Sequence, residues 1–448
     1  MKKFLVLMDL ILLYASLVLT IFIRYPEQFG FQFKLHLLPF SILFLLWLGA
    51  FYISNLYDKQ LSRNDINFYS ALARASLFAI ALSIAFFYLI PLYGITPRTN
   101  LVIFTIIFSL LILIARTTVN NVREKGFKRS LLLVGANTQS LELAQYIRHN
   151  PQLGYSLRAI ININQTPIEN LQEYQILEGI EAIKDILHQE HIQTVVLSPE
   201  AYQTPELIEI FFGALGKGIV FHSLPYFYEH LTGRVPLSML THVWFLENIK
   251  GGRKQLYEMA KRGFDIMGAL VLGIPTIVLL PIISLTARWK SPGPIFYRQL
   301  RLGQSEKPFT MIKFRTMHTN AEKDGAVWTQ ENDPRITRIG KFLRKTRLDE
   351  LPQLWNILKG EMSFVGPRSE RPEFHEQLIA EVPYYKERYL IKPGATGWAQ
   401  LQKSYYASVT DTKEKLQYDL YYIKNRSFLL DLGILLKTIN LVLRAGGR

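Results

Sequence analysis

Two adjacent carboxylates, Asp349 and Glu350, stand in the run Arg347-Leu-Asp349-Glu350-Leu-Pro352-Gln-Leu-Trp355-Asn-Ile-Leu-Lys359-Gly360, with a basic residue just before them. The apolar residues that follow read as a short helix. Pro352 fits such a helix in its first turn, where the missing N–H leaves nothing unbonded. That puts Asp349 at or near the N-cap, where backbone donors and the helix dipole stabilise an anion and attract a phosphate. An ionised aspartate beside a phosphate-binding helix end suits phosphoryl transfer. A lone Asp-Glu pair is more often a cap followed by a first-turn charge, so the surrounding residues decide.

Those residues are cationic. Lys313 and Arg315 lie in Lys-Phe-Arg-Thr-Met, Arg344 and Arg347 precede the pair, and Arg368 follows in Gly366-Pro367-Arg368-Ser-Glu370-Arg371. Lys392-Pro393-Gly394-Ala-Thr396-Gly397-Trp398 adds a glycine-rich loop whose amides could approach a phosphate. Guanidinium groups bind phosphates bidentately, and a diphosphate needs several to spread its charge. Singly, each cation reads as solvated or lipid-facing. Grouped in short loops around two carboxylates, they read as a phosphate-binding site, with Arg315, Arg347 and Arg368 as expected contacts and Lys313 a further one.

The elements that must hold this site begin with four apolar runs, Phe4–Ile23, Leu35–Leu56, Ala71–Tyr93 and Leu101–Ala115. Each approaches the roughly 20 residues that span a hydrocarbon core. Met1-Lys-Lys could open a signal peptide, but no small-residue cleavage site follows. Lys2, Lys3, Lys59, Arg63, Arg74, Arg116, Arg123, Lys125, Lys128 and Arg129 fall on one side of these runs, against Arg24, Lys34 and Arg98 on the other. The positive-inside rule then puts everything after Arg116 in the cytoplasm.

From Lys128 the pattern becomes α/β. Strand-like runs at Ser130–Val134, Leu157–Ile163, Thr194–Ser198 and Gly218–His222 alternate with helical patterns at Thr138–His149, Ile180–Gln189 and Pro205–Leu215, which predicts a small parallel sheet. Its first turn, Val134-Gly135-Ala136-Asn137-Thr138, keeps one glycine where a dinucleotide fingerprint needs three. A Rossmann-like domain without a cofactor is expected, serving regulation or self-association.

A fifth apolar run, Gly263–Ala287, contains Pro275 and Pro281. Lys250, Arg253, Lys254, Lys261 and Arg262 precede it, and Arg288, Lys290, Arg298 and Arg301 follow. Basic residues at both ends predict that both stay on one side, so the run is expected to re-enter the membrane as a helix-break-helix bent at Pro275. The alternative is an ordinary kinked span. The amphipathic run Leu429–Leu443, with Lys437 and Arg444, can lie on a membrane or pack on its own domain.

The 448 residues suit two or three units. Zero cysteines exclude disulfides and thiolate chemistry. The net charge of +15 calls for an anionic surface or a phosphorylated substrate. A positive mean hydropathy of +0.12 is unusual for a soluble chain of this length. No basic recognition helix, zinc finger or RNP-like segment supports nucleic acid.

From about Lys261 to Lys437 the chain resembles the bacterial sugar transferases, the monotopic phosphoglycosyl transferases that act on polyprenyl phosphate. The resemblance rests on Lys261-Arg262-Gly-Phe-Asp265, Ser291-Pro-Gly-Pro-Ile-Phe-Tyr297-Arg-Gln299, Lys313-Phe-Arg-Thr-Met317 and Leu348-Asp-Glu-Leu-Pro-Gln-Leu354. Gly360-Glu-Met-Ser-Phe-Val-Gly-Pro-Arg368, Lys392-Pro-Gly-Ala-Thr-Gly-Trp398 and Tyr418-Asp-Leu-Tyr-Tyr422 complete it. The four-run amino terminus, the α/β middle and Phe227-Tyr-Glu-His-Leu-Thr-Gly-Arg-Val-Pro236 resemble the large subclass of that family. Ser369, where many members carry proline, and Arg426, where an aromatic is common, depart from the pattern.

The resemblance implies a membrane protein, α plus α/β. Residues 1–120 would be a four-helix transmembrane bundle, 128–245 a non-catalytic Rossmann-like domain, 255–290 the re-entrant helix and 291–448 a compact, mainly α catalytic domain at the cytoplasmic face of the bacterial inner membrane. It implies that Asp349 attacks the β-phosphate of a UDP-sugar, releasing UMP, and that undecaprenyl phosphate then takes the sugar-phosphate from the carboxylate. It also implies Mg²⁺ at Asp349 and Glu350, with Glu350 orienting the metal or assisting proton transfer. UDP-sugar, undecaprenyl phosphate and membrane lipids are the expected partners, nucleic acid is not, and a homodimer is left open. The product would enter surface polysaccharide or glycoconjugate assembly.

Three rivals have less support. A membrane-anchored nucleotide-sugar dehydratase or epimerase needs the glycine fingerprint plus Tyr-x-x-x-Lys; Tyr257-Glu-Met-Ala-Lys261 has that spacing, but reads better as an interfacial aromatic and a membrane-flanking cation. A metal-dependent glycosyltransferase would often carry Asp-x-Asp, which this chain lacks. A non-catalytic membrane scaffold would have no need of both carboxylates.

Overall fold

The computed structural model describes residues 2–58, 61–89, 98–126, 128–163, 174–189, 191–249, 255–290, 293–319, 321, 333–402 and 408–443. Lys59, Tyr93, Lys250, Arg253, Lys254, Ser291, Pro292 and Arg444 lie outside the described residues, as do the side chains of Arg98, Arg288 and Lys290. The chain forms two compact units, residues 1–227 and 228–448.

The first unit begins with α1 (Lys2–Arg24), α2 (Phe29–Ile53), α3 (Ile66–Leu89) and α4 (Arg98–Lys125). All four are long and apolar enough to cross a membrane, as is most of a later helix, Gln255–Thr286; the chain is a multi-pass membrane protein. The four helices share a core that includes Leu13, Trp47, Ala75 and Phe104. Trp47 and Phe108 meet edge-on with centroids 4.9 Å apart. Phe4, Leu45 and Ile106 point outward, which costs nothing where the surrounding lipid is as apolar as the core.

One expectation fails here. Arg116, taken for a loop cation, lies inside α4 and is buried. It pairs through Nη2 with Asp9 Oδ2 of α1 at 2.5 Å and donates through Nη1 to the Leu56 carbonyl at 3.1 Å. A guanidinium at that depth requires a carboxylate beside it.

The unit continues as β1 (Arg129–Val134), α5 (Thr138–His149), β2 (Tyr155–Asn162), β3 (Ile176–Glu178), α6 (Glu181–Gln189), β4 (Thr194–Leu197), α7 (Pro205–Gly213) and β5 (Val220–Ser223). The strands form one parallel sheet in the order β3-β2-β1-β4-β5. Leu131, Leu132, Leu133 and Val134 are all buried, as expected of a central strand covered on both faces. Asn137 caps α5 by accepting the Ser140 N–H at 2.9 Å. At three residues, β3 is too short to leave a periodic trace and went unexpected.

The second unit starts within α8 (Leu224–Thr232) and adds α9 (His242–Asn248) and α10 (Gln255–Lys290). An antiparallel pair follows, β6 (Phe296–Leu302) with β7 (Pro308–Phe314), in the register Tyr297↔Lys313 and Arg301↔Phe309. Then come α11 (Arg338–Thr346), a 3₁₀ turn (Leu348–Gln353), α12 (Leu354–Lys359), β8 (Ser363–Val365), α13 (Pro372–Glu381) and a second 3₁₀ turn (Tyr385–Leu390). The chain ends with β9 (Gly394–Thr396), α14 (Trp398–Gln402), α15 (Val409–Asn425) and α16 (Phe428–Leu443).

The helix-break-helix expected at Pro275 is instead a single helix: α10 holds helical backbone through both Pro275 and Pro281. An interior proline removes one hydrogen bond and bends a helix, but need not end it when neighbouring turns persist. Ala269, before Pro275, packs with Phe309, Met311 and Ile357. Ile283, after it, packs with Phe314 and Leu343. The intervening Leu270, Val271, Ile274, Ile277 and Val278 are exposed. Arg301, expected to flank the membrane, lies in β6, where its Nε and Nη2 donate to Gln299 Oε1. Of the two settings open to the final helix, α16 packs on its own unit: Ile434 is fully buried in a core with Leu416, Leu420 and Tyr422.

Candidate active site

Three elements converge on the carboxylate pair. Thr337 caps α11 by accepting the Gly340 N–H at 2.9 Å. Arg347 ends that helix in the left-handed region, φ 55°, and so reverses the chain into the 3₁₀ turn that carries the pair. Asp349 is therefore the second residue of a 3₁₀ turn, and not the N-cap of the apolar helix. Pro352 lies late in that turn, ahead of α12, rather than in the first turn of the apolar helix. Asn356 in α12 fixes the turn against β7: its Oδ1 accepts the Ile312 N–H at 3.2 Å and its Nδ2 donates to the Thr310 carbonyl at 2.8 Å.

That bracing sets Lys313 of β7 on Glu350, Nζ to Oε1 at 3.0 Å. Arg368 Nη2 reaches the same oxygen at 3.1 Å, and Arg347 Nη1 reaches Oε2 at 3.5 Å. Burial alone would raise the Glu350 pKa, but Lys313, Arg368 and Arg347 together hold it well below the carboxylate range. Burial draws Lys313 down to about 8 against the pull of Glu350.

Asp349 is treated oppositely. It is buried, yet makes no hydrogen bond or ion pair among the described residues. Burial first, then the charge of Glu350, push its pKa up to about 6 against the opposing effect of Lys313, Arg344 and Arg368. Adjacent carboxylates thus have distinct states: Glu350 is an ionised anchor for cations, and Asp349 an unpartnered carboxylate that titrates near neutrality.

Lys313, Arg347 and Arg368 come together on Glu350. Arg344 donates instead through Nε to Thr316 Oγ1 at 2.8 Å. Arg315 is held elsewhere, its guanidinium crowding the Gly293 α-carbon, where a Cβ would come within 2.1 Å of Nη1. Pro275 belongs to α10 and takes no part.

The Lys392 loop is not the amide cradle expected. Gly394 and Gly366 press backbone to backbone, and a Cβ on Gly394 would lie 2.1 Å from the Gly366 nitrogen. Their amides are engaged by the Pro367 and Thr396 carbonyls. The glycines serve the parallel pairing of β8 with β9.

A second polar network, absent from the sequence expectations, pins the Arg368 loop. Arg388 Nη2 donates to the Arg368 carbonyl at 2.6 Å and pairs with Asp419 at 3.1 Å. Arg301 donates to the Ser369 carbonyl at 3.0 Å, and Lys415 pairs with Glu370 at 3.2 Å. Burial opposes ionisation of Glu370, but Lys415, Arg301 and Arg388 bring its pKa down to about 2. Asn356, a lone polar residue in an apolar run, is the one structural member with a visible sequence signal.

Tyr257 and Lys261, the spacing of the dehydratase rival, are both engaged by Asp431, at 2.8 and 2.7 Å. Held on α16 in this way, they are not a catalytic pair at the α/β sheet.

The expected Mg²⁺ can be tested against these residues. Among the described residues no three His, Cys, Asp or Glu converge. Magnesium needs only one or two carboxylates when phosphates and water complete its shell. Asp349 fits that role, whereas both Glu350 oxygens already accept from cations.

With this geometry in place, similarity to known proteins is informative. The family model described as Bacterial sugar transferase matches residues 256–445, and one described as CoA-binding domain matches 52–200. An Aeromonas hydrophila protein named UDP-N-acetylgalactosamine-undecaprenyl-phosphate N-acetylgalactosaminephosphotransferase is 43% identical over 224 residues, covering 49% of this chain and 51% of its own. The match thus spans about half the length of that relative. A Bacillus subtilis protein named putative undecaprenyl-phosphate N-acetylgalactosaminyl 1-phosphate transferase is 48% identical over 132 residues, 30% of this chain and 74% of its own. A Xanthomonas campestris protein named UDP-glucose:undecaprenyl-phosphate glucose-1-phosphate transferase is 28% identical over 355 residues, 72% of this chain and 68% of its own.

Proposed function

The chain belongs to the bacterial sugar transferase family, and from that premise we propose that it transfers a sugar-1-phosphate from a UDP-sugar to undecaprenyl phosphate, releasing UMP. The observation that carries this reading is the division of labour in the dyad: Glu350 holds three cations, and Asp349 is left without a partner.

A carboxylate oxygen of Asp349 attacks the β-phosphorus of the UDP-sugar. The bond from that phosphorus to the bridging oxygen breaks, the electron pair leaves with UMP, and the sugar-phosphate is held as an acyl phosphate on Asp349. A phosphate oxygen of undecaprenyl phosphate then attacks the same phosphorus and displaces the Asp349 carboxylate. The product is an undecaprenyl diphosphate sugar. Splitting the transfer in this way lets one nucleophile meet a soluble donor and a lipid acceptor in turn.

Lys313, Arg347 and Arg368 sit where they can share their charge with a diphosphate, and Glu350 keeps them from collapsing onto Asp349. Arg315 remains a further candidate for phosphate contact. Mg²⁺, held by Asp349 and the substrate phosphates, would supply charge neutralisation at the transferred phosphoryl group. With a pKa near 6, Asp349 is mostly ionised at neutral pH and still basic enough to attack.

For the membrane, we read α1–α4 as a transmembrane bundle and α10 as a re-entrant helix. The support for re-entry is that residues on both sides of Pro275 pack on one compact unit, which a spanning helix would have to leave. Arg262 also holds the Ile357 and Leu358 carbonyls, and Asp265 accepts from Ser363 Oγ and the Phe364 N–H. We read the catalytic unit as lying at the cytoplasmic face of the inner membrane, where nucleotide sugars are made; the basic residues at both ends of the apolar run support that reading.

The names of the relatives divide between N-acetylgalactosamine and glucose donors. The test is therefore UMP release by the purified full chain from a panel of UDP-sugars with undecaprenyl phosphate. UMP with at least one donor, lost in Asp349→Asn, is expected. Release of UDP, or full activity in the variant, would overturn the reading.

A further inference from the structure

Beside the first turns of α10 lies an open hollow of about 60 Å³. Four cations line it, Lys261, Arg262, Lys392 and Arg426, against two carboxylates, Glu258 and Asp265. Arg426 is paired with Glu258 at 2.6 Å, and Lys261 with Asp431 at 2.7 Å. With Asp265 counted as well, Arg262 and Lys392 leave the hollow one net positive charge. Arg262 donates to the Ile357 and Leu358 carbonyls at the end of α12, and neither residue has a carboxylate partner among the described residues. Lys392 makes no hydrogen bond there either.

These two charges are neighbours. Arg262 Nη2 and Lys392 Nζ come within 3.4 and 3.5 Å of the point where a Gly360 Cβ would stand, so they are no more than about 7 Å apart. Like charges held together in a concavity are stabilised when an anion enters between them, and a guanidinium beside an ammonium suits a phosphate. The cavity is not the dyad site. It lies beside Gly360, beyond the end of α12, and neither Asp349, Glu350 nor any of the three cations on Glu350 lines it.

Its surroundings identify the source of the phosphate. On the reading of α10 as re-entrant, its apolar stretch begins at Gly263, which sets the cavity at the depth of a membrane headgroup. Leu256, Met259, Phe428 and Leu429 are exposed on the same turns of α10 and at the start of α16. Phe264 and Phe428 join the two helices edge-on, with centroids 5.8 Å apart. A cationic hollow flanked by exposed apolar side chains matches a molecule with an anionic head and acyl chains.

We propose that this cavity is a binding site for the phosphate of an anionic glycerophospholipid, separate from the site of sugar transfer. Arg262 and Lys392 bind the phosphate, and the exposed apolar residues of α10 and α16 meet the acyl chains.

The test is lipid retention by the full chain reconstituted in vesicles of phosphatidylglycerol and phosphatidylcholine, then extracted gently and examined by native mass spectrometry. Phosphatidylglycerol should be retained in preference to phosphatidylcholine. Lys392→Ala should lower that retention about fivefold, the effect of one basic side chain at an anionic surface. Lys392→Arg should restore it, and Lys341→Ala, on α11 away from the cavity, should change nothing. Equal retention of the two lipids, or no response to Lys392→Ala, would overturn the proposal. So would displacement of the lipid by inorganic phosphate alone, which would make this a free-phosphate site. UMP release, followed in parallel, tests the transfer reaction independently of any of these outcomes.

Discussion

Asp349→Asn should abolish transfer and at the same time stabilise the protein. A carboxyl whose pKa rises from 3.8 to about 6 on folding carries about 3 kcal/mol against its ionised form in the native state. The sign follows from proton counts. Below pH 3.8 Asp349 is protonated in both states and contributes nothing. Between 3.8 and about 6 the unfolded chain loses the proton while the native site keeps it, so stability declines as pH rises. Above 6 the whole penalty is present. Asparagine keeps the shape without the charge, and its unsatisfied amide gives back about 1 kcal/mol. A net gain of about 2 kcal/mol is expected for the variant at neutral pH, falling through zero between about pH 4 and 5 and becoming a loss of about 1 kcal/mol below that. Denaturant unfolding of both proteins in the same detergent, across that pH range, measures it. A variant no more stable than the parent at neutral pH would mean that the nearby cations hold Asp349 after all. A gain that did not depend on pH would point to packing rather than charge.

Glu350→Gln removes one of the two influences that raise the Asp349 pKa and frees three cations, so the acid limb of the pH–rate profile should move down by about one pH unit or more. An unmoved limb would break the electrostatic link between the carboxylates. Asn356→Ala leaves the Ile312 N–H and the Thr310 carbonyl without their partner; about 1–3 kcal/mol should be lost, together with the hold of Lys313 on Glu350. Thermal unfolding and the loss of turnover should therefore change together, and a destabilised variant with full turnover would refute the bracing role. The chain has no cysteine, so single cysteines at Leu256 and Thr286 can report on α10 without background. Both should label from one side of the membrane; Pro275→Ala should protect the Thr286 site, and unchanged labelling would remove Pro275 as the cause of re-entry.

Much of the fold is legible because it is periodic. The four amino-terminal helices announce themselves as apolar runs, and α5 has the bounds Thr138–His149 expected from its pattern, with Asn137 before it as cap. The parallel sheet follows from alternating strand and helix patterns. Of the charges that the structure gathers, Asp349, Glu350, Arg347 and Arg368 are visible in short polar stretches of the sequence, as is Lys313, although it lies in β7 and not in a loop. What stays hidden is polar pairing at a distance. Asp9 and Arg116 are 107 positions apart, and Lys261 and Asp431 170 apart. Nothing periodic links such residues, so Arg116, Arg301 and Lys261 all looked like flanking charges. The glycines of the Lys392 loop misled for a related reason: close approach of two backbones and close approach of a backbone to a phosphate call for the same residue.

The packing of α10 has a consequence for how the protein is made. Ala269 and Ile283 complete two small cores of the second unit, yet only 11% of the apolar window of that helix is buried in protein. The helix emerges from the ribosome before the strands and helices it will pack against. On the proposed re-entrant placement of α10, lipid accepts it first and holds it until the rest of its unit is made. Folding of the catalytic unit becomes an event on the bilayer rather than in solution. A version beginning after Lys290 would lack part of the interior of its unit, the side chains of Ala269 and Ile283.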